Sequence, residues 1–195
     1  MKTIIETKRS QLNIYDINEV VDDQNIIKLC VDEVNDKLIV NPTVIVFNKT
    51  GIQHRSIGFF SDDSIGYYYS NNLARSIPLT NNLKKLLDFV NKYFSSNYNG
   101  ILVNRYANGT DYIGSHSDDE TNLGNSGVVA ISYGAERNFR IRDKKTGKIV
   151  ENIPTKSNSI IQMAGDFQKE FKHEIPIQKK IIGERYSFTF RYHNN

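Results

Sequence analysis

Short hydrophobic runs separated by turn residues dominate the chain from about Gly100 to its end. Gly, Asn and Asp lie between the runs, which is the pattern of short strands joined by turns. Regular short strands of this kind indicate a β-sandwich or a β-barrel. The predicted strands are Ile101–Tyr106, Val128–Tyr133, Asn138–Ile141, Ser159–Met163, Phe171–Ile175 and Tyr186–Tyr192.

Helical periodicity is found in two places before Gly100. From about Asn81 to Ser95, apolar residues recur at i, i+3, i+4, i+7 and i+11, which predicts an amphipathic helix that braces a sheet. Thr80 is placed to cap its N-terminus. The apolar positions are Leu83, Leu86, Leu87, Val90 and Phe94. A second helix is predicted around Asp16 to Val34 on similar spacing.

The last predicted strand alternates strictly between aromatic and polar residues. Side chains of a strand point to opposite faces in turn, so the aromatic residues share one face. The polar face carries Arg185, Ser187, Thr189 and Arg191. If the aromatic face packs on the helices, the two guanidiniums point into a cavity and need anionic partners to offset desolvation. A small dianion would suit them.

Composition and charge exclude only a few classes of protein. The chain has 195 residues, of which 38% are hydrophobic, so a single domain over residues 1–195 is expected. No apolar run approaches the roughly 20 residues that span a bilayer, and the N-terminus lacks a signal-peptide pattern. We therefore expect an intracellular protein with no membrane partner. The single Cys30 excludes an intramolecular disulfide and CxxC zinc sites, and the net charge of +3 leaves the partner open.

Two of the 4 histidines stand in a pattern that suits a metal. His116 and Asp118 point to one side of an extended segment, and His173 on a distant strand is the natural third ligand. Two imidazoles and one carboxylate form the facial triad that holds Fe(II) and leaves positions open for a cosubstrate and dioxygen. His54 and His193 have no partner in any motif, and we expect both at the surface.

The order of these motifs is similar to that of the AlkB-type Fe(II)/2-oxoglutarate-dependent dioxygenases, which remove alkyl lesions from nucleic acids. The resemblance is strongest over Asn104 to Arg191 and is closest to the human homologues that act on double- and single-stranded nucleic acid. The matching motifs are Asn104-Arg105-Tyr106, His116-Ser117-Asp118-Asp119-Glu120, Ser132-Tyr133-Gly134, Arg137-Asn138-Phe139, His173 with Ile175-Pro176, and Arg185 to Arg191.

The resemblance implies a fold and a cofactor site. The fold would be mainly β, with a double-stranded β-helix (jelly-roll) core over residues 100–195. Residues 1–99 would form an N-terminal extension with helices and a substrate lid.

The resemblance also implies particular roles in the cofactor site. His116, Asp118 and His173 would bind Fe(II). Arg185, with Tyr106 beside it, would bind the distal carboxylate of 2-oxoglutarate. Arg191 and Asn104 would bind the carboxylate at the keto end. Ser187 stands where the family has asparagine, so we expect weaker binding of 2-oxoglutarate.

Substrate contacts are implied by a weaker resemblance before Gly100. Phe47 lies where the duplex-acting homologue has the residue that fills the gap left by a flipped base. Tyr67 and Tyr69 share one face of an extended run and could stack on that base. Asp119 and Glu120 could read the amino group or positive charge of an N-alkylated base. Lysines at 144, 145, 148, 179 and 180 form two basic loops suited to phosphate contacts.

The resulting hypothesis is an enzyme that uses Fe(II), 2-oxoglutarate and O2 to demethylate 1-methyladenine and 3-methylcytosine, releasing formaldehyde. Its expected partner is nucleic acid, DNA rather than RNA, and it is expected to be a monomer. Two alternatives remain open. The same iron chemistry could serve an RNA demethylase or a protein hydroxylase, or the fold could be a binding module that holds no iron.

Overall fold

The computed structural model describes residues 1–23, 25–46, 49–69, 72–118 and 127–193. Only the backbone is described for Val46, Tyr67, Tyr68, Tyr69 and Asn72. Within these ranges the strands are β1 (Lys2–Glu6), β2 (Ser10–Asp16), β3 (Ile39–Val40), β4 (Thr43–Val46), β5 (Lys49–Ile52), β6 (Ser56–Phe60), β7 (Gly66–Tyr69), β8 (Asn72–Arg75), β9 (Gly100–Tyr106), β10 (Ile113–His116), β11 (Val128–Gly134), β12 (Arg137–Asp143), β13 (Ile149–Thr155), β14 (Ser159–Gly165), β15 (Phe171–Ile175) and β16 (Arg185–Arg191).

Three α-helices and two short 3-10 turns complete the described elements. The helices are α1 (Ile26–Val34), α2 (Asn81–Phe94) and α3 (Phe167–Glu170), and the turns are Ile17–Glu19 and Asn35–Lys37. The hydroxyl of Thr80 accepts a hydrogen bond from the Leu83 amide at 3.3 Å, which confirms the predicted cap of α2. In the described part of the chain no helix has the length and apolar character that a membrane crossing requires.

Two antiparallel sheets form the core of the fold. The large sheet has eight strands in the order β1-β2-β14-β11-β16-β9-β6-β3. The small sheet has four strands in the order β10-β15-β12-β13. Side chains from both sheets line one cavity, so the sheets face each other across it. This arrangement confirms the predicted mainly β, jelly-roll fold with helices in its N-terminal part.

The aromatic face of β16 packs where the alternation places it. Tyr186, Phe188 and Phe190 belong to one buried apolar cluster together with Leu83 and Leu86 of α2. Residues of α1 belong to the same cluster. Since a buried aromatic side chain contributes roughly 2–3 kcal/mol, this face fixes the strand against the helices. The polar face of β16 is thereby turned towards the cavity.

The predicted helix around Asp16 to Val34 is wrong in its first half. Asp16 ends β2, and its side chain accepts a hydrogen bond from the Asn18 amide, so it caps the 3-10 turn that follows. The helix begins only at Ile26. β13 was not predicted, because most of its side chains are exposed and polar residues interrupt its apolar run.

The expectation that His193 lies at the surface is also wrong, whereas His54 is exposed as expected. His193 is 6% exposed, and its ring centroid lies 4.9 Å from that of Phe59. The side chain of Asn99 holds the backbone of His193 on both sides, accepting from its amide at 2.8 Å and donating to its carbonyl at 2.9 Å. Those bonds draw the end of the chain onto the sheet.

Replacing His193 by phenylalanine should reduce the loss of stability in mild acid. Burial and then the charge of Arg191 lower the pKa of His193 to about 4, against about 6.5 in an unfolded chain. Because the pKa is depressed in the folded state, stability that is fully present above pH 6.5 is lost as the pH falls towards 4. The free energy of unfolding can be measured with urea at pH 7 and at pH 5. Between these two pH values it should fall by about 1–2 kcal/mol more in the wild type than in H193F. Equal losses in both proteins would contradict this account.

Candidate active site

The cavity between the sheets is lined by polar residues from one face of the large sheet. Only every second side chain of a strand points to a given face, so neighbouring strands contribute alternate residues. These residues are Asn104 and Tyr106 of β9, Ser132 of β11, and Arg185, Ser187, Thr189 and Arg191 of β16. The small sheet and its flanking segment contribute His116, Asp118 and His173. The arginine face of β16 thus lines a cavity, as predicted.

A β-bulge in β10 turns His116 inward. Ile113 pairs with Ile175 and His116 pairs with His173, so three steps along β10 match two steps along β15. The extra residue lets both Ile113 and His116 line the cavity, although regular alternation would place them on opposite faces. Bulges of this kind are common beside active sites, where they redirect a side chain.

The three predicted metal ligands lie together. One ligand atom from each of His116, Asp118 and His173 lies within 4.8 Å of the others. The Nε2 atom of His116 is 3.7 Å from Oδ1 of Asp118, and the Nε2 atom of His173 is 3.5 Å from Oδ2. Asp118 and His173 are 3% and 5% exposed. Both imidazoles therefore direct the same ring nitrogen towards one buried carboxylate.

The protonation states suit a divalent metal. Burial lowers the pKa of His116, and burial together with the nearby His116 lowers that of His173 to about 3. The Nδ1 atom of His116 lies 2.8 Å from the carbonyl of Gly114, which can only accept, so Nδ1 carries the hydrogen and Nε2 keeps its lone pair. Burial alone would raise the pKa of Asp118, but Arg191 and the two histidines hold it at about 2. The triad offers two neutral imidazoles and one carboxylate.

Further contacts fix the position of Asp118. Its Oδ1 atom accepts a hydrogen bond from Nη2 of Arg191 at 2.7 Å, and its backbone amide donates to Oε1 of Gln168 at 2.9 Å. The preceding Ser117 donates its hydroxyl to the Phe171 carbonyl at 2.9 Å. The carboxylate is therefore oriented before any metal binds, as is usual for residues around a metal site.

Arg185 is a buried cation with unused donors. It is 2% exposed, and its Nη2 atom donates to the hydroxyl of Ser132 at 2.8 Å. Its Nε and Nη1 atoms have no hydrogen-bond partner within the described ranges, and no carboxylate of those ranges pairs with it. Its guanidinium lies over the ring of Tyr106, 5.4 Å from the centroid. A buried guanidinium of this kind fits a bidentate carboxylate from a ligand.

Arg55 is a cavity residue that no sequence motif assigned to the site. It is 5% exposed, and its Nε atom donates to Oδ1 of Asn104 at 2.8 Å. With Oδ1 occupied in this way, the amide nitrogen of Asn104 remains as a donor. Ser187 pairs directly with Asn104 across the two strands and is also buried. The only sequence signal for Arg55 is its position between Phe47 and Tyr67, inside the segment with the weak resemblance described above.

The predicted substrate residues are described only in part. Phe47, Asp119 and Glu120 lie outside the described residues. Tyr67 and Tyr69 belong to β7, which pairs with β8, and their side chains also lie outside the description. The lysines at 144, 145 and 148 occupy the turn between β12 and β13, as predicted for a hairpin tip. Their contacts with phosphate, and those of Lys179 and Lys180, stay predictions.

Comparison with protein-family models gives the class of the chain. Residues 17–191 match the model of the 2OG-Fe(II) oxygenase superfamily. Because the match covers most of the chain, the chain belongs to this superfamily. The metal, the cosubstrate and the oxidant of the enzyme are therefore Fe(2+), 2-oxoglutarate and O2.

The chain is similar to curated relatives of the AlkB type, the type that the motifs indicated. DNA oxidative demethylase ALKBH2 of Homo sapiens is 31% identical over 76% of this chain and 60% of the human protein. Alpha-ketoglutarate-dependent dioxygenase alkB homolog 3 of Homo sapiens is 30% identical over 56% of this chain and 41% of that protein. The chain thus spans about 60% or less of these relatives' lengths. The solved structure of OsALKBH1 shares the fold, with a TM-score of 0.59 at 16% identity over 92% of this chain and 97% of that one.

Removing one imidazole of the triad should weaken metal binding. H173A should bind Mn(II) at least roughly tenfold more weakly than the wild type, because it deletes one of three ligands that converge on one point. The matched control is H54A, which removes an exposed imidazole. Free Mn(II) can be counted by electron paramagnetic resonance during titration of metal-free protein. The triad assignment fails if H173A and H54A bind the ion equally well.

Replacing Arg185 by lysine should weaken binding of 2-oxoglutarate roughly tenfold, because an ammonium group cannot form the bidentate pair. The measurement is calorimetric titration of the Mn(II)-loaded protein. R105K is the matched control, since Arg105 is paired with Glu184 at 2.9 Å and does not line the cavity. Unchanged affinity in R185K would show that the cosubstrate lies elsewhere.

Proposed function

We propose that this protein is a DNA oxidative demethylase that acts on N-alkylated bases such as 1-methyladenine and 3-methylcytosine. The observation that carries the proposal is the presence, in one cavity, of a His-Asp-His triad, with Asp118 and His173 buried, and of a buried arginine with donors that no described residue uses. The name of the human relative, DNA oxidative demethylase, supports the choice of substrate class. When bound, iron and 2-oxoglutarate would allow O2 to oxidise the methyl group. The products would be the repaired base, formaldehyde, succinate and CO2.

The proposal gives each residue of the cavity a separate task. His116, Asp118 and His173 bind the iron through atoms that already face one point. Arg185 pairs with the distal carboxylate of 2-oxoglutarate, and Tyr106 packs beneath its guanidinium.

The carboxylate at the keto end is assigned to Arg191 and Asn104. Arg191 is bonded to Asp118, so an anion held by its guanidinium lies next to the metal. The amide of Asn104 is oriented by Arg55, which leaves its nitrogen as the donor. Ser187, between the two arginines, has a shorter side chain than asparagine, so it gives the cosubstrate less support.

Recognition of the damaged base is assigned to residues before Gly100 and to the segment after Asp118. A base inside a duplex must leave the stack before an enzyme can reach its Watson–Crick edge. We propose that Phe47 fills the gap, that Tyr67 and Tyr69 contact the flipped base, and that Asp119 and Glu120 favour its positive charge. The same proposal takes the chain as one catalytic domain, with a core from residue 100 onward, acting as a monomer inside the cell.

Formaldehyde release from a methylated DNA oligonucleotide tests the proposal. With Fe(II) and 2-oxoglutarate, the wild type should release formaldehyde. The rate of release by D118A should be lower by roughly 100-fold or more, because this variant lacks the carboxylate ligand of the metal. D32A is the matched control, since Asp32 is exposed on α1 and pairs only with Lys28 among the described residues.

The alternatives are separated by the choice of substrate in the same assay. Faster release from methylated RNA than from DNA would favour an RNA demethylase. Succinate formation with no release from either nucleic acid would favour a protein substrate. Equal release by the wild type and D118A would overturn the iron-dependent assignment itself.

A further inference from the structure

Besides Arg55, Arg185 and Arg191, a fourth buried arginine, Arg137 at the start of β12, lies near Tyr106 of the cavity wall and has no task in the function proposed above. It is 1% exposed. Its guanidinium lies 5.8 Å from the centroid of the Tyr106 ring, which it shares with Arg185 at 5.4 Å. Tyr106 itself is 2% exposed. Two buried cations therefore lie close to the same ring.

The hydrogen bonds of Arg137 connect two separate segments of the chain. Its Nη1 atom donates to the carbonyl of Asn108 at 3.0 Å. Its Nη2 atom donates to the carbonyls of Asp111 and Pro176, each at 2.8 Å. Its Nε atom donates to Oε1 of Gln178 at 3.3 Å. The segment after β9 and the segment after β15 are thus joined to β12 by one side chain.

The same two segments also bind each other. The amide of Gly109 donates to the Ile181 carbonyl at 2.7 Å, and the amide of Gln178 donates to the Gly109 carbonyl at 2.8 Å. The position of Tyr106, at the end of β9, depends on this arrangement, because residues 107–111 follow it directly. A change at Arg137 would therefore affect Tyr106 in two ways, through the contact with its ring and through the segment that follows β9.

The partners of Arg137 are all neutral oxygens. No carboxylate in the described ranges lies within ion-pair distance of it, although Asp111, whose carboxylate accepts from the Ala107 amide at 2.7 Å, attracts it at longer range. Carbonyl groups satisfy the donors without cancelling the charge. Together with Arg185, Arg137 leaves two positive charges around Tyr106, and such a field favours an anion.

We propose that Arg137 is a positioning residue for 2-oxoglutarate, which holds Tyr106 beneath Arg185 and adds a second positive charge that selects the distal carboxylate of the cosubstrate. The proposal rests on the proposed function, since it takes the cavity as the 2-oxoglutarate site. The proposal gives the Arg137 side chain two separate roles. The hydrogen bonds support the fold, whereas the charge supports binding of a dicarboxylate.

The test compares two keto acids that differ in the distal carboxylate. The affinities of the Mn(II)-loaded protein for 2-oxoglutarate and for 2-oxobutyrate are measured by calorimetry, and their ratio is the readout. R137M removes the charge and should weaken 2-oxoglutarate roughly tenfold while changing 2-oxobutyrate by less than about twofold. R137K keeps the charge and should keep most of the ratio, although it loses thermal stability because it has fewer donors.

The matched control is T155V, which deletes the hydrogen bond of 2.7 Å from the Thr155 hydroxyl to the Arg137 carbonyl and leaves the guanidinium in place. It should lower stability without changing the ratio. If circular dichroism shows that R137M does not fold, R137Q replaces it, since an amide can still donate to the carbonyls.

The outcomes distinguish the proposal from the function on which it rests. A wild type that does not bind 2-oxoglutarate overturns the proposed function and this inference with it. Binding by the wild type, with an unchanged ratio in the neutral variant, overturns the inference alone and leaves Arg137 a structural residue. A ratio that falls in R137K or T155V as far as in the neutral variant would also overturn it, because loosened packing would then be the cause.

Discussion

The burial of two guanidiniums on one face of β16 is the constraint on which the site depends. Arg185 and Arg191 are each 2% exposed, and the aromatic residues between them hold the opposite face against the helices. A buried charge without a partner lowers stability by several kcal/mol. Arg191 is compensated by Asp118 at 2.7 Å, whereas among the described residues Arg185 has only a serine hydroxyl and the Tyr106 ring as partners. Arg185 is therefore the cation whose charge a carboxylate of a bound ligand would balance.

The compensated cation has a different effect, because it connects the two halves of the site. The charge of Arg191 keeps Asp118 ionised in a place where burial alone would neutralise it. In return, the carboxylate fixes the guanidinium at the edge of the metal position. Under the proposed assignment, the metal and the keto end of the cosubstrate meet at one ion pair, and a change to Arg191 would affect both. Arg185, at the other end of β16, would under the same assignment affect only the distal carboxylate.

The sequence predicted the parts of this site that follow from strict periodicity or from an ordered motif. The alternation in β16 predicted both of its faces, and the spacing in α2 predicted the helix and its cap. The inward turn of His116 depends on a bulge, and no residue pattern in β10 reveals it. Arg55 and Arg137 could not be assigned because their partners are an amide oxygen and backbone carbonyls that come together only in the fold. His193 is buried through backbone bonds to Asn99, which leave no trace in hydropathy.

The part of the chain before Gly100 completes the catalytic sheet as well as carrying the proposed lid. β6 pairs with β9, and β1 and β2 extend the other edge beyond β14. The hairpin β4–β5 precedes β6 in the chain and the hairpin β7–β8 follows it. After the second hairpin, Ile77 forms a parallel β-bridge with Phe60 at the end of β6. Both hairpins are therefore anchored at the wall that carries Arg55 and Asn104. Binding loops on a rigid scaffold can change without disturbing the chemistry beneath them. Specificity for the base can thus vary in these hairpins while the charges on β16 stay fixed.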